Sequence, residues 1–340
     1  MVSMGSKKMI DDLMKPSAYP EMPNKITLAQ THISTVFIGD EFVYKIKKPV
    51  NFGFLDFSTL EKRNHYCGKE VELNSRFSKD VYLGVFPVTY DGEKYSIDGD
   101  GEVVDYAVKM KRLSDDDLLK TRFEENDVKS EDIERIAEAI AKFHNRSETS
   151  KEIQEFGKID SIKFNTDENF EQTEPFIGNS ISKEQYTDLK EWTDTFYKDN
   201  KELFDQRIEE GKIKDCHGDL HMEHICLTDP IIIFDCIEFN DRFRYSDILS
   251  DIAFLMMDLE FNDGHDLSKQ LCEKYIEMSG EENNEKIRRL INFYKVYRAY
   301  VRGKVTSFIL SDPAISDDKK TKARDTAEKY FKLAHSYISD

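Results

Sequence analysis

The sequence is short of basic residues. Its 340 residues include 49 lysines and arginines against 67 aspartates and glutamates, so the formal net charge is −18. Binding along a nucleic-acid backbone requires a basic surface, and this balance excludes nucleic acid as the expected main partner. The charge would suit a cationic small molecule or a nucleotide carried with its metal ion, although an acidic surface also serves simply to keep a protein in solution.

Long apolar segments are also missing. The longest purely apolar run, IAFLMM at 252–257, is far too short to cross a bilayer. The N-terminal sequence MVSMGSKKMIDDLMK has no apolar core of the type found in export signals. The five cysteines are odd in number and do not form the pattern of a secreted disulfide framework. We therefore expect a reduced, cytoplasmic protein with no membrane partner.

Turn and periodicity signals divide the chain into three parts. Residues 1–19 are typical of a leader that is partly disordered. Residues 20–113 contain β-rich runs separated by turns, with one helical segment between the third and fourth run. Residues 114–340 are mainly helical in pattern. This order predicts an α+β protein in which a small antiparallel β-rich lobe precedes a larger α-helical lobe.

Capping patterns indicate where individual helices begin. Ser58 followed by Glu61, and Ser182 followed by Gln185, each match the capping box, in which two side chains satisfy backbone N–H groups at a helix start. The first pair predicts the start of the helix inserted in the β-rich part. The second pair predicts the start of a helix in the C-terminal part.

Lysines in the third β-rich run are candidates for binding phosphate. The run FVYKIKK has Lys45 in its middle and Lys47 on the same face, because side chains alternate along a strand. A lysine at such a position can hold the phosphates of a nucleotide. An acidic residue on the following helix could pair with Lys45, and either Glu70 or Glu72 meets this requirement. Taken alone, each of these signals is more typical of an ordinary edge-strand lysine or solvated helix charge.

The stretch CHGDLHMEHICL at 216–227 has two interpretations. In the first, it is a phosphotransferase loop in which Asp219 is the catalytic base and His217 braces the loop. The later run IIIF would then deliver Asp235 at a strand end, where a carboxylate can hold Mg²⁺. The order and spacing of these two aspartates carry this interpretation, because neither motif is specific alone.

The second interpretation is a zinc-dependent hydrolase. Its ligands would be His217, His221, His224 and Cys226, and the spacing of the first two could place both on one face of a helix. Gly218 and Asp219, which lie between those histidines, fit such a helix poorly. The zinc hypothesis also leaves the lysine run and the segment FDCIEF unexplained.

The motifs HGDLHMEHI and FDCIEF together resemble those of the aminoglycoside phosphotransferase-like kinases, a group with the protein-kinase-like fold that includes choline kinases. The segments THISTVF, VYKIKKPVNFGFLDFSTLEKR, LNSRF and VYLGV are similar to uncharacterised microbial members of this group. The resemblance extends over about residues 19–260. Many of those members carry a C-terminal ATPase domain with a Walker A motif. We expect that domain to be absent here, because the sequence contains no G-x-x-x-x-G-K-[ST].

The resemblance implies roles for residues of the β-rich part, which would bind the nucleotide. Lys45 would contact the α- and β-phosphates of ATP, and Glu70 would hold Lys45 in place. The segment from Thr31 to Ser34 would replace the Gly-rich loop of protein kinases, although it contains no glycine. Met110 would lie beside the adenine, near the hinge between the two parts.

The resemblance also implies the chemistry. Asp219 would be the base, supported by His217, and Asp235 would ligate Mg²⁺. His224 stands where relatives hold metal with Asn, and imidazole suits Mg²⁺ less well than oxygen does. The expected function is transfer of the γ-phosphoryl group of ATP, with Mg²⁺, to a hydroxyl of a small molecule. A nucleotide-binding pseudokinase that regulates a partner is the alternative.

Overall fold

The computed structural model describes residues 4–313 and 315–339. Its N-terminal third alternates strands and helices. In chain order these elements are α1 Met4–Leu13, β1 Thr27–Gln30, β2 Ser34–Ile38, β3 Phe42–Lys47, α2 Leu60–Asn74, β4 Tyr82–Tyr90, β5 Tyr95–Ile97 and β6 Glu102–Lys111.

The remainder of the described chain is mainly helical. In chain order its elements are α3 Leu119–Glu124, α4 Ser130–Arg146, α5 Lys151–Glu155, α6 Ile159–Thr173, α7 Lys183–Asp199, α8 Lys201–Glu209, β7 Ile213–Asp215, β8 Ile225–Cys226, β9 Ile232–Ile233, α9 Asp241–Arg244, β10 Tyr245–Asp247, α10 Ile248–Phe261, α11 His265–Ser279, α12 Glu285–Phe308 and α13 Asp317–Ser339. Strands followed by helices confirm the predicted α+β class.

Two compact units divide the chain. The first unit comprises Met1–Thr121 and His224–Asp241, and the second unit comprises Arg122–Glu223 and Arg242–Asp340. This division differs from the predicted boundary at residue 113, because the segment 224–241 belongs with the β-rich part of the chain. The candidate metal ligand Asp235 therefore lies in the same unit as Lys45.

An antiparallel six-stranded sheet forms the centre of the first unit. Its strand order is β1-β2-β3-β6-β4-β5, with β3 paired to β2 and β6. The short strands β8 and β9 form a separate antiparallel pair. Buried apolar side chains cover one part of the sheet; they include Phe37, Tyr44, Ile46, Val88, Ile97 and Ala107.

The predicted leader belongs to this core. Leu13, Ala18 and Tyr19 are buried in the same cluster as Tyr44 and Ile97. The prediction of a partly disordered leader is therefore wrong for residues 9–19, whose apolar side chains from Met9 to Tyr19 pack in this cluster. Residues 1–3 of the predicted leader lie outside the described residues.

One of the two predicted helix starts is displaced by one residue. Helix α2 is capped by Thr59, whose Oγ1 accepts from the N–H of Lys62 at 3.3 Å. Ser58 lies one residue before this cap and donates its hydroxyl to Asp56 at 2.6 Å. The capping box of Ser182 and Gln185 is confirmed at the start of α7.

Helices α6, α7, α10, α12 and α13 pack together in the second unit. Their shared core contains Phe170, Leu189, Phe254, Met257, Val296, Tyr300 and Phe331. Nearly every residue of α10 is buried, which is typical of a helix enclosed on all sides. Among the residues that the structure describes, no helix combines the length and the apolar character needed to cross a bilayer.

Candidate active site

Strand β3 brings two lysines to one buried glutamate. Lys45 Nζ lies 2.9 Å from Glu70 Oε1, and Lys47 Nζ lies 2.6 Å from Glu70 Oε2. Both contacts follow from the alternation of side chains along the strand, which puts residues two apart on one face. Glu70 is fully buried, whereas Glu72 is exposed and faces Lys69. Of the two acidic candidates, the structure therefore places Glu70 against Lys45.

Two further carboxylates complete this charged cluster. Lys45 Nζ contacts Asp235 Oδ1 at 2.6 Å, and Lys47 forms a buried ion pair with Glu238. Burial opposes the charge on Lys45, but Asp235 and Glu70 outweigh it and hold the pKa of this lysine well above its ordinary value. Burial and the nearby Glu70 raise the pKa of Glu238, which Lys47 only partly offsets. Both lysines therefore carry their charge at neutral pH.

The carboxylates of this cluster differ in their exposure to solvent. Three carboxylates surround two ammonium groups, so the cluster has one excess negative charge when every group is ionised. The side chain of Asp235 is 38% exposed, whereas that of Glu70 is fully buried. Asp235 is therefore the carboxylate that a metal ion from solvent could reach, and its oxygen atoms suit Mg²⁺.

His224 lies next to Asp235, as its predicted role requires. Its Nε2 atom is 3.6 Å from Asp235 Oδ2, and its carbonyl oxygen accepts from the N–H of Phe234 at 3.1 Å. The strand before Asp235 is shorter than the run IIIF suggests, since β9 ends at Ile233. An imidazole nitrogen beside a carboxylate is a donor set that favours softer divalent metals over Mg²⁺.

The segment that replaces the Gly-rich loop is closed by its own hydroxyl. Thr31 Oγ1 accepts from the N–H of Ile33 at 3.3 Å and from the N–H of Ser34 at 3.0 Å. These two amides are thus occupied, although the resemblance implies that backbone groups here bind phosphate. The hydroxyl of Ser34 is buried and makes no hydrogen bond among the described residues, so it remains available as a donor.

Met110 lies among other partly exposed apolar side chains of the first unit. Met110 pairs with Val43 across β3 and β6 and packs against the buried cluster of Cys67, Val81, Tyr82 and Val108. Other partly buried side chains in contact with this cluster are Val71, Val85, Tyr106, Leu113, Ile232 and Phe234. Such an apolar surface beside a charged cluster offers a nucleotide base a place to bind.

In the second unit, Asp219 lies on a segment that is tied to helix α10. The N–H groups of His217 and Gly218 donate to the two carboxylate oxygens of Asp251, at 2.7 and 2.9 Å. The N–H of Asp219 donates to His217 Nδ1 at 3.2 Å. Gly218 has φ of +85°, a left-handed conformation that glycine adopts without steric cost. The predicted bracing role of His217 therefore has a direct contact to support it.

Asp258 and Arg298 also hold this segment, and sequence reasoning missed both. Asp258 accepts from the N–H of Met222 at 2.9 Å, and Arg298 donates to the carbonyl of Gly218 at 2.9 Å. A signal for Asp258 was present in the sequence. It lies seven residues after Asp251 in a mainly apolar helix, and that spacing places both carboxylates on one face.

The carboxylate of Asp219 remains accessible beside a histidine. Its side chain is 35% exposed, and His221 Nε2 lies 3.5 Å from Asp219 Oδ2. Burial alone would lower the pKa of His221, but the charge of Asp219 raises it above its ordinary value. An exposed carboxylate with an adjacent imidazole can accept a proton from a hydroxyl group.

Two of the four residues of the zinc hypothesis have other surroundings in the structure. Cys226 is buried in β8, where burial raises the pKa of its thiol to about 12. His217 is already committed, since its Nδ1 accepts from the amide of Asp219.

Solved structures with a similar fold include an aminoglycoside phosphotransferase and a choline kinase. The chain matches the GDP complex of aminoglycoside 2′-phosphotransferase-IIIa with 15% identity and a TM-score of 0.52. The match covers 96% of this chain and 98% of the phosphotransferase. It also matches a choline kinase from Cryptosporidium parvum Iowa II over 95% and 94% of the two chains, with 11% identity and a TM-score of 0.53. This chain has the protein-kinase-like fold. The resemblance to aminoglycoside phosphotransferase-like kinases is thereby confirmed at the level of the fold.

Sequence relatives of this kinase-like chain are longer than it is. Uncharacterised proteins from Mycobacterium tuberculosis and Mycobacterium bovis are 33% identical to it over 282 residues. The match covers 82% of this chain and 54% of those proteins, so the chain spans about half the length of the curated relatives it matches. No family model matches the chain.

Proposed function

We propose that this chain is a phosphotransferase that transfers the γ-phosphoryl group of ATP to a hydroxyl of a small molecule with the help of Mg²⁺. The observation that carries the proposal is the position of Lys45. Its ammonium group contacts a fully buried glutamate, Glu70, and a half-exposed aspartate, Asp235, at 2.9 and 2.6 Å. A fixed cation next to an accessible carboxylate is what phosphoryl transfer requires of the nucleotide side.

In this proposal, the first unit binds the nucleotide. Glu70 keeps the ammonium group of Lys45 in place, and Lys45 would contact the α- and β-phosphates. The apolar side chains around Met110 would accommodate the adenine. The carboxylate of Asp235 would hold Mg²⁺, which supplies positive charge to the phosphate oxygens when bound. The exposure of the Asp235 side chain and its contact with Lys45 support this assignment.

The second unit would supply the base. Asp219 would orient the acceptor hydroxyl and take its proton while the hydroxyl oxygen bonds to the γ-phosphorus. The bond from the γ-phosphorus to the bridging oxygen breaks in the same step, and ADP leaves. Backbone bonds from His217 and Gly218 to Asp251 keep the segment in one conformation, which supports a positioning function for it.

The chain between Asp235 and α9 is short, which supports a small-molecule acceptor. Helix α9 begins at Asp241, so there is no long segment of the type on which protein kinases dock peptides. The acidic net charge of −18 agrees with an acceptor that can be cationic.

A nucleotide-binding pseudokinase is the second candidate. The observation that favours it is the imidazole of His224, at 3.6 Å from Asp235, where an oxygen ligand would suit Mg²⁺ better. Such a protein would bind nucleotide in the first unit without transferring phosphate. Binding and turnover must therefore be measured separately.

The test combines a binding assay with an acceptor screen. Thermal stabilisation by ATP is measured with and without Mg²⁺ for the wild type and for Asp235→Ala. Exposed Asp80 provides the matched control, Asp80→Ala. We expect the Mg²⁺-dependent part of the stabilisation to disappear only in Asp235→Ala. Equal stabilisation in both variants would remove Asp235 from the metal site.

ATP consumption is then screened against alcohols, sugars, amino-alcohols, nucleosides and aminoglycosides. A phosphotransferase consumes ATP faster with at least one of these acceptors than without any. Stabilisation by ATP with Mg²⁺ but no consumption with any acceptor would favour the pseudokinase.

A further inference from the structure

The backbone around Asp235 adopts a conformation that its sequence does not favour. Asp235 has φ of +60°, in the left-handed region that residues other than glycine enter only rarely. Such a conformation persists when the surrounding structure determines it from several sides. The segment 233–236 has little regular structure of its own, since β9 ends at Ile233. Something outside the segment must therefore hold it.

Three polar side chains from one stretch of the chain provide that support. Tyr82 Oη accepts from the N–H of Asp235 at 3.0 Å, and Asn74 Oδ1 accepts from the N–H of Cys236 at 2.9 Å. Ser78 Oγ accepts from the N–H of Ile233 at 3.2 Å and donates to its carbonyl at 2.9 Å. We call Asn74, Ser78 and Tyr82 the polar clamp.

The polar clamp and His224 satisfy four consecutive backbone amides. The N–H groups of residues 233, 235 and 236 go to the clamp, and that of Phe234 goes to the carbonyl of His224. A buried backbone amide without a partner is costly, so a change of backbone conformation that breaks these bonds is opposed. The clamp therefore holds the backbone from which the Asp235 side chain projects.

The clamp residues are themselves fixed. All three are buried, with exposed fractions of 0% for Asn74, 7% for Ser78 and 5% for Tyr82. Asn74 also donates to the carbonyl of Glu70 at 2.9 Å, one turn earlier in α2. Glu70 is the residue that holds Lys45, so the same helix end is connected to the lysine and to the Asp235 segment.

From these contacts we infer that Asn74, Ser78 and Tyr82 are positioning residues that present the carboxylate of Asp235 to the metal ion of the nucleotide. This inference rests on the proposed function and assigns three residues to it that carry no ionised group. The clamp acts on Asp235 through the backbone and does not touch the substrate. The clamp affects how accurately the carboxylate of Asp235 is positioned. It therefore affects the apparent affinity for Mg²⁺ in the presence of ATP.

Tyr82→Phe tests the inference because it removes one hydroxyl and keeps the ring. Tyr19→Phe is the matched control, since Tyr19 is also buried in the first unit and donates its hydroxyl to a backbone carbonyl, that of Leu13, at 2.6 Å. Thermal stabilisation by ATP is measured over a series of Mg²⁺ concentrations. We expect Tyr82→Phe to need about 3- to 10-fold more Mg²⁺ for half of the effect, the loss that one hydrogen bond corresponds to.

Ser78→Ala is the second variant, with the same expected direction. Both clamp variants should shift the Mg²⁺ midpoint, whereas Tyr19→Phe should lower only the melting temperature of the free protein. A midpoint in Tyr82→Phe and Ser78→Ala equal to that of Tyr19→Phe would overturn the inference and leave the proposed function intact. A wild type that shows no Mg²⁺-dependent stabilisation by ATP would overturn the proposed function and the inference together.

Discussion

The two candidate aspartates are held in different ways. The segment that carries Asp235 in the first unit is fixed by the neutral side chains of Asn74, Ser78 and Tyr82. The segment that carries Asp219 in the second unit is fixed by ionised groups, mainly Asp251. Both arrangements hold backbone amides and leave the candidate carboxylate partly exposed.

The difference follows from the surroundings of each segment. Asp235 already lies in a cluster with two lysines and two buried glutamates, where one more buried charge would have to be compensated. Neutral acceptors avoid that cost. Around Asp219, one carboxylate receives two adjacent amides, and bonds to an ionised acceptor are stronger than neutral ones. The support of Asp219 should therefore depend on ionisation, whereas the support of Asp235 should not.

Removal of the Asp251 side chain should have the largest effect, because it takes away the main support of the segment that carries Asp219. Asp251 is fully buried and also contacts His144 Nε2 at 3.3 Å. We expect Asp251→Ala to lower the free energy of unfolding by about 3–5 kcal/mol, the usual cost of breaking a buried ionic contact from one side. Chemical denaturation measures it, with the exposed Asp325→Asn as the control for lost charge. A loss below 1 kcal/mol would mean that the Asp219 segment has other support.

Acid pH should weaken the same support, because it protonates the carboxylate of Asp251. Burial would raise the pKa of Asp251, but the bond to His144 and the nearby charges lower it from 3.8 to about 2. Because the pKa is lower in the folded state, the stabilisation is present above about pH 4 and is lost as the pH falls towards 2. It amounts to about 2 kcal/mol. The wild type should lose this amount between pH 4 and pH 2, and Asp251→Asn should lose correspondingly less.

Asp219→Asn tests the candidate base separately from the residues that hold its segment. The backbone bonds of His217 and Gly218 to Asp251 stay in place, so the fold should be retained. We expect turnover to fall by about two orders of magnitude or more, because the base is lost, while ATP binding persists. Calorimetry and a phosphorylation assay on one preparation measure the two effects.

The same variant has a readout that needs no acceptor. Since the charge of Asp219 raises the pKa of His221, that pKa should fall in Asp219→Asn, as followed by NMR. Full activity in the variant would discard Asp219 as the base. An unchanged His221 titration would discard the electrostatic contact between the two residues.

His224→Asn should have the smallest effect and tests the metal side of the comparison. An oxygen ligand near Asp235 suits Mg²⁺ better than imidazole does, so the variant should keep or raise Mg²⁺-supported kcat/KM by a few-fold. The preference for Mn²⁺ should fall at the same time. The measurement compares kcat/KM with Mg²⁺ and with Mn²⁺, for the wild type and the variant at the same pH. An equal loss with both metals would show that His224 does not act as a ligand.

Local patterns in the sequence determined the elements and several of the candidate residues. Alternation along FVYKIKK put Lys45 and Lys47 on one face, and both do contact the same glutamate. The strand and helix order of residues 20–113 followed from periodicity and turn residues, because these act over a few positions at a time. The motifs around Asp219 and Asp235 also identified the kinase-like fold.

Tertiary structure alone decided which residues support the site. In the structure, Glu70 rather than Glu72 contacts Lys45, and part of the predicted leader packs in a core. Residues 224–241 belong to the first unit. The polar clamp joins positions 153 to 162 residues apart in the chain. No local periodicity reports a contact over such distances, because side chains like those of Asn74 and Ser78 look like ordinary polar residues until the fold buries them against unpaired amides.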